Sequence, residues 1–166
     1  MRRGITLNWL GLTLALLVGL PAGIPAAEWG GISPGASTME TVRGRYGAPS
    51  REARHKVEGY DTIQWIYEGA RAPVGMKRMT VEFGLLTSGG FRPNVVRYFD
   101  LEPKPGVFDR AMVVNGWDLP DRVAEGGGRK IFFYKAGLVV TFHEGEEDAL
   151  SMVFTVPQPE LKPATK

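Results

Sequence analysis

A set of punctuating residues recurs along this chain at one fixed spacing. The two members of each pair are separated by 71 positions, and the pairs are Pro34/Pro105, Gly35/Gly106, Val42/Val113, Tyr46/Trp117, Pro49/Pro120 and Arg51/Arg122. A gapless repeat of proline, glycine and apolar positions indicates that one structural unit occurs twice. The spacing therefore predicts a duplicated fold, with a first unit over residues 28–101 and a second unit over residues 102–157.

Each unit begins with the pattern of a short helix. In the first unit the apolar residues of one helical face are Met39, Val42 and Tyr46. Ser37, followed three residues later by Glu40, predicts a capping box at the start of this helix. In the second unit Asp109 stands where its side chain can cap the second helix.

Segments with alternating apolar residues follow each helix and predict strands. These segments are 62–67, 78–83 and 95–101 in the first unit and 130–134, 138–143 and 149–156 in the second. The charged stretch 50–56 is interpreted as an extended connector or a second short helix, and 121–129 as a connector. The predicted fold class is α+β: two tandem units, each a helix plus a three-stranded antiparallel sheet. The two sheets are either separate or joined into one continuous sheet with the helices on one face.

The first residues have the pattern of an export signal. Arg2 and Arg3 precede an uncharged apolar run from Leu10 to Leu20, and small residues follow it. We predict a signal peptide over residues 1–27, cut after Ala26 or Ala27, with an uncleaved N-terminal anchor as the alternative. The chain is thus expected in the periplasm or at the periphery of the outer membrane, or secreted. The proline-rich residues 158–166 are predicted to be a disordered tail.

Charge and cysteine content exclude several kinds of partner and site. Removing the leader lowers the number of basic residues from 20 to 18, against 18 acidic ones, so the exported chain is formally neutral. A neutral chain without a basic cluster argues against nucleic-acid binding. There is no cysteine, which excludes a lipid anchor on an N-terminal cysteine, thiol catalysis and cysteine metal sites.

The residues that could carry catalysis are few. His143 is followed by Glu144 and Glu146, and a histidine beside carboxylates could bind a metal or move a proton. No second histidine or spaced carboxylate completes a ligand set, so a solvated strand end is the favoured interpretation. The serines lack the surroundings of a catalytic nucleophile. We therefore predict a non-enzyme, with no catalytic residue, no cofactor and no metal site.

Strand alternation predicts a mixed polar and aromatic surface on the sheet face that points away from the helices. The candidate partner-binding residues on this face are Phe99, Ile131, Phe133, Val139 and His143. The alternative is that the connectors or the tail cover this face. A lengthened hairpin around residues 70–77 distinguishes the first unit, either as a functional loop or as drift.

Short motifs in the first unit resemble a known family. They are Gly35, Thr38, Val42, Gly47-Ala48-Pro49 and Trp65-Ile66-Tyr67, within residues 32–83. This pattern resembles the BamE/SmpA family of small outer-membrane assembly lipoproteins. The resemblance implies a helix packed on a three-stranded antiparallel sheet and a role in outer-membrane assembly or maintenance. The tandem arrangement is similar to the β-lactamase-inhibitor-protein family, which implies one wide sheet with a binding face.

Three functional hypotheses follow from these patterns. The first is an exported, non-catalytic envelope protein that binds a protein partner through its sheet, in outer-membrane assembly or maintenance. The second is an inhibitor of a secreted or periplasmic enzyme. The third is a small hydrolase or metal-binding protein.

Overall fold

The computed structural model describes residues 24–145 and 147–158. In chain order the elements are α1 (Met39–Tyr46), β1 (Arg51–Val57), β2 (Tyr60–Glu68), a 3-10 turn (Gly69–Arg71), β3 (Met76–Thr87), β4 (Gly90–Pro103), α2 (Arg110–Trp117), β5 (Arg122–Gly126), β6 (Arg129–Tyr134), β7 (Leu138–Phe142) and β8 (Ala149–Thr155). Residues 1–23 of the predicted signal peptide and 159–166 of the predicted tail lie outside the described residues. Within the described ranges, no helix has the length and hydropathy needed to cross a membrane.

All the strands belong to one antiparallel sheet of eight strands, in the order β1-β2-β3-β4-β8-β7-β6-β5. The first half of the chain runs from one edge to the centre of the sheet. The second half starts at the opposite edge and also ends at the centre, where β4 pairs with β8. The predicted fold class is therefore wrong: the chain does not form helix-plus-three-strand units, because each half contributes four strands to a single sheet.

The strands missing from the prediction are the two edge strands, β1 and β5. Both lie in segments interpreted as connectors, and most of their side chains are exposed. An edge strand pairs through its backbone on one side only, and charged side chains on such strands prevent pairing with other molecules. Because little of either strand is buried, neither shows the apolar alternation by which strands are predicted from sequence.

Both helices begin at a side-chain cap. In α1 the capping box is one residue later than predicted: Thr38 Oγ1 accepts from Thr41 N–H, and Thr41 Oγ1 accepts from Thr38 N–H, both at 3.3 Å. Ser37 instead accepts a hydrogen bond from Ser33 N–H at 3.0 Å. The prediction for α2 is confirmed, since Asp109 Oδ1 accepts from Met112 N–H at 2.7 Å.

Matching contacts tie each helix to the sheet. The Tyr67 hydroxyl donates to Gly47 O at 3.1 Å, and the Tyr134 hydroxyl donates to Asp118 O at 3.2 Å. Gly47 and Asp118 follow their helices at the same 71-residue spacing. Buried ring pairs repeat as well, with T-shaped contacts of 4.8 Å between centroids at 68° in Trp65–Phe83 and Phe132–Phe142.

The two halves meet at an approximate two-fold axis. Val96 N–H donates to Ser37 O in the first half, and Ala149 N–H donates to Phe108 O in the second. Because Val96 and Ala149 are equivalent, the residues four positions after them, Asp100 and Val153, are equivalent too. Asp100 and Val153 are also direct partners across β4 and β8, so the axis passes between them.

Residues 27–36, here called the N-terminal strap, pack with the helices over the buried face of the sheet. Ala27 N–H donates to Ala136 O at 2.7 Å in the turn between β6 and β7. The Trp29 ring stacks on Tyr46 of α1, with centroids 6.4 Å apart, and Ile32 is fully buried. At the other end of the described chain, Gln158 N–H donates to Lys135 O at 3.1 Å.

Candidate functional site: the open face of the sheet

The sheet face opposite the helices, here called the open face, is the surface on which the predicted partner-binding residues must be judged. Within the described residues, neither helix nor the strap packs on it. One row of paired residues crosses this face through all eight strands: Arg51, Ile66, Thr80, Asp100, Val153, Val139, Phe133 and Arg122. The character of the open face changes at the centre of the row, from charged and polar on the Asp100 side to apolar on the Val153 side.

The second half of the open face is apolar at its centre and includes the polar Thr141 and Ser151 beside Ile131. Its central residues are half-buried and form what we call the apolar patch: Ile131, Phe133, Val139 and Val153. The Arg122 guanidinium carbon lies 4.1 Å from the centre of the Phe133 ring, a cation–π distance. An uncovered apolar surface rimmed by polar groups is typical of an interaction site.

The first half of the open face is charged and internally paired. Glu68 contacts Arg51 at 3.1 Å and Arg78 at 3.5 Å, and Arg78 also contacts Glu102 at 3.1 Å. Each of these ion pairs is partly exposed, so each contributes between about 0 and 1 kcal/mol to stability. The main effect of these ion pairs is to neutralise the charges of Arg51, Glu68, Arg78 and Glu102 among themselves. These four side chains therefore offer no excess charge to a partner.

A second polar cluster surrounds Glu82, whose residue exposure is only 4%. Its carboxylate accepts from Gln64 Nε2 at 2.6 Å and lies 3.6 Å from Arg97 Nη2. The Arg97 guanidinium also lies 5.2 Å from the centre of the Tyr98 ring. Burial and the charge of Glu82 raise the pKa of Tyr98, so the phenol stays protonated and the cluster keeps its charge balance.

Asp100 differs from the other acids of the open face. It is half-buried, and its Oδ1 atom has no hydrogen-bond partner among the described residues. Burial, and secondly the negative charge of Glu102, raise the pKa of Asp100 to about 6, although the charge of Arg78 and a backbone hydrogen bond from Leu101 oppose the rise. At neutral pH this carboxylate is therefore ionised but poorly satisfied, and it adjoins the apolar patch through Val153.

A hollow of about 200 Å³ lies at the far end of the first half. It is formed between the turn that joins β1 to β2 and the outer part of the β3–β4 hairpin, and Tyr60 and Phe91 stack beside it with centroids 4.5 Å apart. Gly84 has a φ of +103°, and a Cβ there would lie 3.0 Å from both Phe91 and Thr62. The glycine thus lets the Phe91 ring lie against the sheet.

The structure separates the predicted partner-binding residues into two groups. Phe99 is fully buried and stacks on Phe154 at 4.6 Å between centroids, so its assignment to the open face is wrong. Ile131, Phe133 and Val139 lie on the open face and are half-buried. Contact of these three residues with a partner stays a prediction.

His143 directly follows the last residue of β7. It is half-buried, and its backbone N–H donates to Asp148 O at 3.0 Å. Over the described ranges, which omit the neighbouring Glu146, no group of three His, Cys, Asp or Glu side chains is placed to hold a metal ion.

The error at Phe99 arises at a β-bulge. Glu82 pairs with Tyr98 but Phe83 pairs with Val96, so Arg97 is an extra residue on β4. Alternation counted through Arg97 places Phe99 on the wrong face, because a bulge shifts the phase by one residue. The stretch Phe99-Asp100-Leu101-Glu102 alternates apolar and acidic residues, and this local signal would have identified Asp100 as an open-face residue.

Neither the protein-family models nor the curated proteins include a match to this chain. Among solved structures, the chain is similar to the crystal structure of a DUF4309 family protein (YjgB) from Bacillus subtilis subsp. subtilis str. 168. The identity is 9%, the match covers 76% of this chain and 82% of that chain, and the TM-score is 0.45.

The resemblance to the BamE/SmpA family is therefore corrected. No model of that family matches the chain, and the structure is one sheet of eight strands rather than a pair of three-stranded units. The short motifs that suggested the family are accounted for by local structure: Gly47 ends α1, and Trp65 and Tyr67 are buried core residues. Outer-membrane assembly loses its support with the family.

Proposed function

We propose that this chain is an exported, non-catalytic protein of the cell envelope that binds a protein partner on the open face of its sheet. The partner would occupy the apolar patch and reach Asp100. A partner docked here would bury the side chains of Phe133, Val139 and Val153, which already lie in one row. A few well-packed residues near the centre of an interface provide most of its binding energy.

The observation that carries the proposal is the position of Asp100. The neighbouring arginines contact Glu68, Glu102 and Glu82. The Oδ1 atom of Asp100, like Arg97 Nε, is buried without a hydrogen-bond partner among the described residues. That atom is shielded from solvent, so the carboxylate is only partly satisfied within the fold. A cation on a partner would instead meet the partly exposed remainder of the Asp100 side chain and offset its charge. The fitting partner is therefore a protein surface with a lysine or arginine flanked by apolar side chains.

The area of the open face is sufficient for such a complex. Strands in a sheet are spaced by about 4.8 Å, so the seven spacings between eight strands span about 34 Å, and six residues of strand extend about 20 Å. The whole face thus offers roughly 700 Å², close to the roughly 800 Å² that each partner contributes to a standard interface, so a partner of standard size would extend past Asp100 onto the first half.

Site-specific photo-crosslinking in the native envelope tests the proposal. A photoreactive residue replaces Val139 in the apolar patch, and in the control it replaces Val74, which is 99% exposed on the β2–β3 connection. We expect a protein adduct from position 139 and none from position 74. Equal adducts from both positions would reject the open face as the binding surface.

The identified partner then allows a direct measurement of affinity. The double variant Phe133→Asp/Val139→Asp should weaken binding at least 100-fold, because charges replace the apolar centre of the interface. The matched control Val74→Asp should leave the affinity unchanged.

If the captured protein is an enzyme that loses activity in the complex, the inhibitor hypothesis gains support. Metal in the purified chain, or a phenotype of His143→Ala, would favour the third hypothesis.

A further inference from the structure

Ala27 is the first buried residue of the described chain. Ile24 and Pro25 are exposed and Ala26 is half-buried. Ala27 is 6% exposed and belongs to the hydrophobic core. Its backbone N–H donates to Ala136 O at 2.7 Å, so this residue contributes both a buried methyl group and a hydrogen bond to the fold.

The strap that begins at Ala27 connects the two halves of the molecule. Ala136 lies in the β6–β7 turn of the second half, whereas Trp29 stacks on Tyr46 of α1 in the first half. The Tyr46 hydroxyl donates to Gly30 O at 3.0 Å, and Trp29 and Ile32 exchange two backbone hydrogen bonds. The strap is therefore an integral part of the fold from its first residue.

We infer that the leader is removed by hydrolysis of the peptide bond between Ala26 and Ala27, so that Ala27 is the first residue of the exported chain. One water is consumed: Ala26 leaves with a carboxylate, and Ala27 keeps the new ammonium group. The inference rests on the export proposed above. Both candidate bonds have an alanine on their N-terminal side, so the sequence pattern alone does not choose between them.

The packing distinguishes the two products, because only one of them keeps every contact of the fold. A cut after Ala27 removes a buried methyl group and leaves Ala136 O without its donor, which destabilises the fold. A cut after Ala26 retains both. It also converts the amide donor to an ammonium group, which makes a stronger, charge-assisted hydrogen bond to the carbonyl oxygen.

N-terminal sequencing of the exported chain tests the inference. The complete gene product, leader included, is expressed in its own host, and the protein is recovered from the envelope or the medium. We expect a sequence that starts Ala27-Glu28-Trp29. A chain that starts at Glu28, or at any other residue within 20–35, overturns the inference and leaves export intact. A chain that starts at Met1 and is found in the envelope also overturns the inference, because its leader is an uncleaved anchor. A chain that starts at Met1 and stays in the cytoplasm rejects export itself, so the two failures are distinct.

A deletion variant checks the physical basis. Removing Ala27 from the leader-bearing chain places Glu28 directly after Ala26, so the exported product lacks the buried methyl and its donor. We expect its melting temperature to fall by about 3–8 °C. The control Glu28→Ala changes an exposed neighbour and should leave the melting temperature within about 1 °C of the wild type. Equal melting temperatures for the deletion and the wild type would contradict the role given to Ala27.

Discussion

Asp100 lies directly opposite Val153 in the strand pair that joins the two halves of the sheet. The two residues occupy equivalent positions in a duplicated structure, yet one is a carboxylate and the other a valine. The two halves therefore differ in side-chain chemistry at the two-fold axis that relates them. On the open face, this pair separates a surface of balanced charges from a surface of apolar side chains, and a single partner could contact both.

The raised pKa of Asp100 predicts that its ionisation destabilises the fold. The ordinary pKa of 3.8 applies to the unfolded chain, and the folded value is about 6. The folded state therefore holds its proton more tightly, and stability falls as the pH rises from about 4 to about 6. The variant Asp100→Asn removes this charge and should raise the free energy of unfolding at pH 7.5 by about 1–2 kcal/mol, a value reduced for partial exposure.

Urea unfolding at pH 4.5 and pH 7.5 measures this effect. The difference between Asp100→Asn and the wild type should be larger at pH 7.5 than at pH 4.5, where the wild-type carboxyl is mostly protonated. Glu125→Gln, at an exposed position on the edge strand β5, provides the control for a general loss of negative charge. A variant less stable than the wild type at pH 7.5 would show that the carboxylate stabilises the fold instead.

Two phenylalanines on opposite faces of the sheet test the face assignment. Phe99→Ala removes a fully buried ring stacked on Phe154 and should cost about 3–5 kcal/mol. Phe133→Ala removes a half-buried ring from the open face and should cost at most about 1.5 kcal/mol. Chemical denaturation of both variants provides the comparison, and equal losses would contradict the assignment.

The paired tyrosine contacts predict matched effects in the two halves. Tyr67→Phe and Tyr134→Phe each remove one hydrogen bond to the carbonyl after a helix, and each should cost about 1 kcal/mol. Since the two sites are in separate halves, the double variant should lose about the sum. Burial raises both pKa values to about 12, so titration of the two phenols followed by absorbance should begin only in strongly alkaline solution.

Alanine substitution at two glycines in hairpin turns distinguishes the cost of a steric clash from the cost of backbone strain alone. A Cβ on Gly137 would collide with the carbonyl oxygen of Thr155, and its φ is +92°. Gly127 has a φ of +58°, with open space where a Cβ would lie. We expect Gly137→Ala to cost at least about 3 kcal/mol and Gly127→Ala about 1 kcal/mol. Thermal unfolding of both variants measures the difference, and a mild effect at Gly137 would show that the β6–β7 turn can move.

Residues that act locally could be predicted from the sequence. The stripe through Met39, Val42 and Tyr46 locates α1, and Asp109 marks the start of α2 as predicted. A helix of this size is specified by its own caps and apolar spacing, which are contiguous in the chain. The same holds for β2, where Trp65 and Tyr67 are buried on one side of an alternating strand.

Features that depend on pairing between distant segments could not be predicted in the same way. The pairing of β4 with β8 brings Asp100 to Val153 across 53 positions of chain, and no local pattern specifies such a register. Asp100 lies on the open face because the bulge at Arg97 changes which side chains of β4 point to each face of the sheet. The family resemblance failed for a related reason, since short motifs of glycine, proline and aromatic residues describe local geometry that many folds share.

The strap and the chain after β8 reach the same turn. Ala27 is held by Ala136, and Gln158 is held by the adjacent Lys135. A short peptide linker could therefore join Gln158 to Ala27 beside this turn. New chain termini could then be opened at the exposed Val74. Such a circular permutant would keep every strand pair of the sheet while converting the β2–β3 connection into free termini, at which a label or a surface tether could be attached.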